Sequence, residues 1–205
     1  MSTLPAALIA VVVGYLLGSI PTGMIVARVY RNVDLTAYGS GRTGATNVLR
    51  TLGRGAASIA FGGDFLKGAL AVALIKFVIA PENAWIEMIA AVAAVVGHTY
   101  SVFIGFKGGR GVVTGFGASV VAAPVIVIAF VIGIVLIALT RYVSLGSVVG
   151  TVLAGLMLCV VAYIHSDPAW ALWGVLLGGF IVIAHKDNIE RLLAGTERKL
   201  GERAS

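Results

Sequence analysis

The chain has 205 residues, 59% of them hydrophobic and only 12% charged, where a soluble domain carries roughly 25%. With a mean hydropathy of +1.02, that set cannot cover a water-soluble surface, which excludes an ordinary soluble domain and predicts an integral membrane protein. The formal charge of +6 reads as basic loops beside anionic head groups and phosphate-bearing substrates, and not as a nucleic-acid footprint.

Apolar runs fall at Leu4–Val29, Ala56–Ala80, Trp85–Ile104, Val112–Leu139, Gly146–Ile164 and Ala169–Ala184. They are long, without barrel-like alternation, so they predict helices that satisfy their own backbone groups in lipid. The first run has no basic segment before it and no clear cleavage site, and is expected to be a retained helix. Pro81 and Pro168 mark short turns between paired helices. The lone Cys159 lies in an apolar run and reads as a packed thiol. The tail, 187–203, has apolar residues at 189, 192, 193 and 200 and predicts an amphipathic helix on the cytoplasmic surface.

Lys and Arg are placed unevenly. Arg28, Arg31, Arg42, Arg50 and Arg54 surround the first long loop, Lys107 and Arg110 lie in the second, and Arg141 in the third. The turns near Pro81 and Pro168 carry Glu82 and Asp167 instead. The positive-inside rule places the basic loops in the cytoplasm and the N-terminus outside. To return Arg141 to that face, the run Val112–Leu139 must cross twice. Splitting it at Pro124 gives short helices at Val112–Ala122 and Pro124–Thr140, each under ~26 Å long. The alternative is one long kinked helix with Arg141 on the opposite face. The preferred reading is one all-α domain over residues 1–205, with seven transmembrane helices, two of them short, and the C-terminus cytoplasmic.

Three strings carry the chemistry. In Gly39-Ser-Gly-Arg-Thr-Gly44, glycines alternate with donors, so successive backbone N–H groups can cradle a phosphate. Thr46, Asn47 and Arg50 follow, as in a loop entering a helix whose first N–H groups attract anions. Lys107-Gly-Gly-Arg110 sets two cations around paired glycines, suited to a second phosphate. The third string is Arg141-Tyr-Val-Ser-Leu-Gly-Ser147. Asp64 and Lys67 share one helical face and read as an intramembrane ion pair, with Asp64 also a candidate to orient a basic residue of the site. Of the three histidines, His185 ends the last helix on the basic side and is the best placed for substrate. No nucleophile elbow, soluble-type His-x4-Asp device or metal cluster is recognisable. A phosphate or organic-anion transporter would show inverted repeats and midplane polar residues, and here the polar residues gather at one face.

Gly18-Ser-Ile-Pro-Thr-Gly23, Gly39 to Arg50, Asp64-Phe-Leu-Lys-Gly68, Gly97-His98, Phe106 to Thr114, Arg141 to Ser147 and His185 to Gly195 together resemble the bacterial acyl-phosphate-dependent glycerol-3-phosphate acyltransferase family. The likeness runs through most of the chain in order. It implies a seven-helix enzyme of the bacterial inner membrane, active on the cytoplasmic side. Such an enzyme moves a fatty acyl group from acyl phosphate to glycerol 3-phosphate, giving lysophosphatidic acid and phosphate, without cofactor, metal or obligate protein partner. The resemblance implies that Ser40, with Gly39 and Gly41, binds phosphate, and that Thr46, Asn47 and Arg50 continue that site. Lys107, Gly108, Gly109 and Arg110 form the second cradle, Arg110 standing at a family lysine, and Ser147, His185 and Asn188 match polar residues at the glycerol phosphate site. Arg42 stands where the family usually has Asn. The catalytic set is thus His185, Ser40 and Arg50. The base is His185 or a substrate phosphate, and the resemblance points to the phosphate.

Overall fold

The computed structural model describes residues 3–202, and they fold into ten α-helices with no strand among them. Arg203, the last residue of the expected surface helix, lies outside that range.

The first apolar run is broken. Helix α1 (Thr3–Ser19) stops before Pro21, which has no N–H to donate, and α2 (Thr22–Arg31) resumes at once. Asn32 then closes α2 in the left-handed conformation, φ 52°. The run Leu4–Val29, expected to be one helix, is thus two. The break is tolerated because the Ile20 carbonyl it frees accepts from Lys67 Nζ, 2.8 Å away on a distant helix. After the first loop comes a short amphipathic helix, α3 (Ala45–Leu52), then α4 (Arg54–Leu74), whose last turn, Ile75–Ile79, widens to π-type before Pro81.

Asn83 opens α5 (Ala84–Thr99), its side-chain oxygen accepting from the Ile86 N–H at 3.3 Å. The next run separates as expected into α6 (Val112–Ala122) and α7 (Ile126–Thr140), with Pro124 in the gap. Lys76 Nζ donates to the Val121 and Ala122 carbonyls, 3.2 Å from each, and so satisfies the orphan end of α6. Helices α8 (Val143–His165), α9 (Ala169–Ala184) and α10 (Lys186–Leu193) complete the order. Four helical stretches are long and apolar enough to cross a membrane, α6 and α7 are shorter, and α9 and α10 form a pair bent by 60°. The tail helix ends at Leu193, so the amphipathic helix is shorter than expected.

The main core gathers Val72, Val95, Ala118, Ile126, Leu158, Trp173 and Ile181 from α4 through α9. Outward faces are apolar too, with Leu8, Ile59, Leu70, Val135, Leu156 and Val175 exposed, as lipid-facing surfaces require. The turns near Pro81 and Pro168 meet at one end, where Glu82, Glu87, His165 and Asp167 line a small pocket. The three basic strings meet elsewhere, around one large cavity, and this is the arrangement that the split at Pro124 requires.

Candidate active site

The cavity has a volume of about 660 Å³ and runs from polar loops into the bundle. Its mouth is built by helix beginnings. Gly44, Ala45 and Thr46 open α3, Gly111, Val112 and Val113 open α6, Val143 and Ser144 open α8, and His185 and Asn188 open α10, and all of them line it. A helix start presents unpaired N–H groups and a partial positive charge. Four such ends face one space, joined there by Arg42, Arg50, Arg54 and Arg110. Apart from the paired Asp64, Glu197 is the one carboxylate among the described lining residues. The mouth therefore carries a positive field suited to an anion.

The first loop is shaped by Asn47. Buried under it, Asn47 Nδ2 donates to the carbonyls of Arg42 (2.8 Å), Tyr38 (3.0 Å) and Leu35 (3.2 Å), and its Oδ1 accepts from the Ser40 N–H (3.3 Å). Gly39 and Gly41 hold φ of 58° and 66° in the same turn, which glycine adopts at no steric cost. Asn47 therefore commits its amide donors to the loop, and it lines the cavity together with Ser40, Thr46 and Arg50.

In the second loop Arg110 lines the cavity and its Nε donates to the Ala184 carbonyl at 3.2 Å. Burial, then the neighbouring Arg42, pushes the guanidinium down to about 10, so it stays charged at neutral pH. Gly109 also lines the space, whereas Lys107 is exposed and, with Gly108, stands outside the lining. His185 is buried, with Nδ1 2.7 Å from the Ile181 carbonyl. That bond fixes the donor tautomer at Nδ1 and leaves Nε2 as an acceptor. Burial pushes this imidazole down to about 4. It is neutral at pH 7 and a weak base. Ser147 lines the third side, and Asn188 Oδ1 is buried without a partner among the described residues.

Sequence reasoning missed Ser144 and Glu197. Residues 194–202 turn back over the mouth, tied by the Leu200 N–H to the Arg141 carbonyl (2.6 Å) and by Arg141 Nη2 to the Leu200 carbonyl (2.8 Å). Glu197 thereby accepts from Ser144 Oγ (2.8 Å), Asn188 Nδ2 (2.7 Å) and Arg191 Nε (2.7 Å). These bonds hold its carboxyl below the ordinary range despite burial. A single Glu in a polar tail shows no periodicity, and only the fold-back brings it in.

Below the mouth the cavity turns apolar. Phe61, Phe116 and Phe130 form one wall, the last two stacked at 3.8 Å. Gly146, Gly150, Gly155, Gly174 and Gly178 line the other, where α8 lies close against α7 and α9. On α8 the lining runs from Ser144 to Leu158, a rise of about 21 Å and more than half a ~30 Å hydrocarbon core.

A basic mouth over a lipid-length apolar channel fits a polytopic α-helical membrane protein whose cavity suits an amphiphilic anion. Comparison with known proteins makes this specific. The family model for glycerol-3-phosphate acyltransferase matches residues 8–195. Glycerol-3-phosphate acyltransferase 3 of Dehalococcoides mccartyi is 43% identical, over 96% of this chain and 97% of its own. Glycerol-3-phosphate acyltransferase 1 of Deinococcus radiodurans is also 43% identical, over 97% and 98%. Crystal structures of PlsY (YgiH), an integral membrane glycerol 3-phosphate acyltransferase, superpose on this fold. The glycerol 3-phosphate form does so with a TM-score of 0.86 at 38% identity, over 95% of this chain and 96% of that one. The lysophosphatidic acid form gives 0.84 at 37%, over 95% of each. The chain belongs to the glycerol-3-phosphate acyltransferase family, integral membrane transferases of phospholipid synthesis.

Proposed function

We propose that this protein transfers a fatty acyl group from acyl phosphate to glycerol 3-phosphate, releasing lysophosphatidic acid and phosphate. We place it in the bacterial inner membrane, with the mouth of the cavity on the cytoplasmic side. One observation carries the reading: four helix starts and four arginines face a single space that continues as an apolar channel. Two anionic heads and one acyl tail fit that division. The named relatives point to the acceptor; the acyl phosphate donor rests on the family resemblance, and the basic mouth supports it.

Acyl phosphate is a mixed anhydride whose leaving group is a phosphate, so activation calls for positive charge and N–H dipoles more than for a strong base. Arg110, Arg50, Ser40 and the first N–H groups of α3 and α6 would hold the phosphates, while the tail lies along Phe116, Phe130 and the glycines of α8 and α9. The acceptor hydroxyl oxygen attacks the acyl carbon, a C–O ester bond forms, and the acyl–phosphate C–O bond breaks toward phosphate. The hydroxyl proton goes to a phosphate oxygen, whose second pKa near 6 makes it a stronger base than the suppressed His185 imidazole. His185 Nε2 and Asn188 Oδ1 are then acceptors that orient the glycerol hydroxyls.

Purified protein supplied with glycerol 3-phosphate and either acyl phosphate or an acyl thioester is the direct test. Equimolar lysophosphatidic acid and phosphate from acyl phosphate alone is expected. Turnover of the thioester alone would refute the donor assignment. Arg50→Ala and Ser40→Ala are each expected to abolish transfer in a folded protein, and full activity in both would remove the phosphate cradle.

A further inference from the structure

A second polar cluster lines the same cavity and lies against the second basic loop. Asp64 on α4 and His98 on α5 both line the cavity, both almost fully buried. Asp64 Oδ1 is 2.9 Å from Lys67 Nζ, 2.5 Å from Thr22 Oγ1 and 3.3 Å from His98 Nδ1, the last a close approach outside good hydrogen-bond geometry. Lys67 Nζ donates in turn to the Ile20 carbonyl. The carboxylate is thus neutralised from one side and faces the imidazole on the other.

His98 carries the second basic loop. Its carbonyl accepts from the Gly109 N–H at 3.1 Å, and the next carbonyl, of Thr99, accepts from the Gly108 N–H at 3.0 Å. A side chain at Gly109 would collide with His98 Nε2, and one at Gly108 with the His98 carbonyl. The loop therefore lies flat on both the backbone and the ring of this residue. Nε2 faces Gly109, so the ring nitrogen opposite Asp64 packs on the loop. With Lys67 on Asp64, the carboxylate has no free charge to offer.

We propose that Asp64 and His98 are positioning residues: the buried carboxylate sets the imidazole as a platform on which Gly108 and Gly109 rest, and this holds Arg110 at the mouth. The inference rests on the proposed function only for what Arg110 holds. The platform itself exists without substrate.

Amide hydrogen exchange across residues 105–111, measured on the substrate-free protein in detergent, reads the platform directly. His98→Phe keeps a ring but loses the approach to Asp64, and the Gly108 and Gly109 amides are expected to exchange about tenfold faster. His98→Asn keeps a donor near the Nδ1 position and is expected to stay within about threefold of wild type. Should His98→Phe not fold, Asp64→Leu combined with Lys67→Met removes both charges together and is expected to give the same acceleration. In turnover, His98→Phe is expected to raise the KM for glycerol 3-phosphate about tenfold with a smaller fall in kcat, with His98→Asn restoring it. Equal exchange in wild type and His98→Phe, or equal acceleration in both His98 variants, overturns the proposal. A wild-type protein without acyl transfer would refute the function and leave the exchange result to decide the platform.

Discussion

Arg110 and Asp64 face the same cavity and are handled in opposite ways. Asp64 has its charge matched at once by Lys67, with Thr22 adding a hydrogen bond. Arg110 has one carbonyl and, as its strongest charged influence, another arginine. Matched charge in lipid is structure, since removing either member strands the other. Unmatched charge, on the proposed function, is what a ligand would complete. The difference separates the residues that hold the bundle together from those that wait for an anion.

The sharpest way to break this contrast is Arg110→Ala. It is expected to cost about 10²–10³-fold in kcat/KM while the melting temperature in detergent holds; a stability loss instead would make Arg110 structural. Asp64→Ala should act first on stability, leaving Lys67 buried alone and costing about 3–5 kcal/mol, measured by thermal or denaturant unfolding. In the channel, Gly178→Leu adds bulk where nothing lies nearer than the Thr151 carbonyl at 4.0 Å. It is expected to slow palmitoyl transfer about tenfold and to spare octanoyl.

His185 gives a pH signature. Unfolded, it titrates near 6.5, and folded near 4. Between those values the unfolded chain binds a proton that the folded chain refuses. The stability His185 confers is thus complete above pH 6.5 and lost as pH falls toward 4. Melting temperature should fall across that window in wild type and less in His185→Gln. The smallest effect is expected at exposed Lys107, which lies outside the lining. Lys107→Ala should reduce kcat/KM about threefold at low ionic strength and less in salt, as a long-range attraction does.

Much of this was legible in the residues. The split at Pro124 follows from needing Arg141 on the face of Arg42 and Arg110, and the helices end at Ala122 and restart at Ile126 as that geometry demands. The glycine-and-donor strings announced the mouth, because the chemistry that binds anions is local in sequence. What escaped was whatever needs a distant partner. The break at Pro21 lay hidden in an apolar run, since the lysine that makes it affordable is on α4. Glu197 carried no signal until the tail folded back, and Ser144, though inside the third string, had nothing to set it apart from its neighbours. Asn47 drew notice as a phosphate ligand, but its donors are directed at its own loop.

The glycines that line the lower channel have a consequence for how this enzyme can change. Gly133 and Gly146, like Gly155 and Gly174, bring their helices so near that any side chain there meets the opposing backbone. On the proposed function, this wall of the ruler for tail length is drawn by main chain, and a larger residue at any of these four positions would pry helices apart. Gly178 is the open notch on that ruler, and drift in chain-length preference within a lineage should be concentrated at that position.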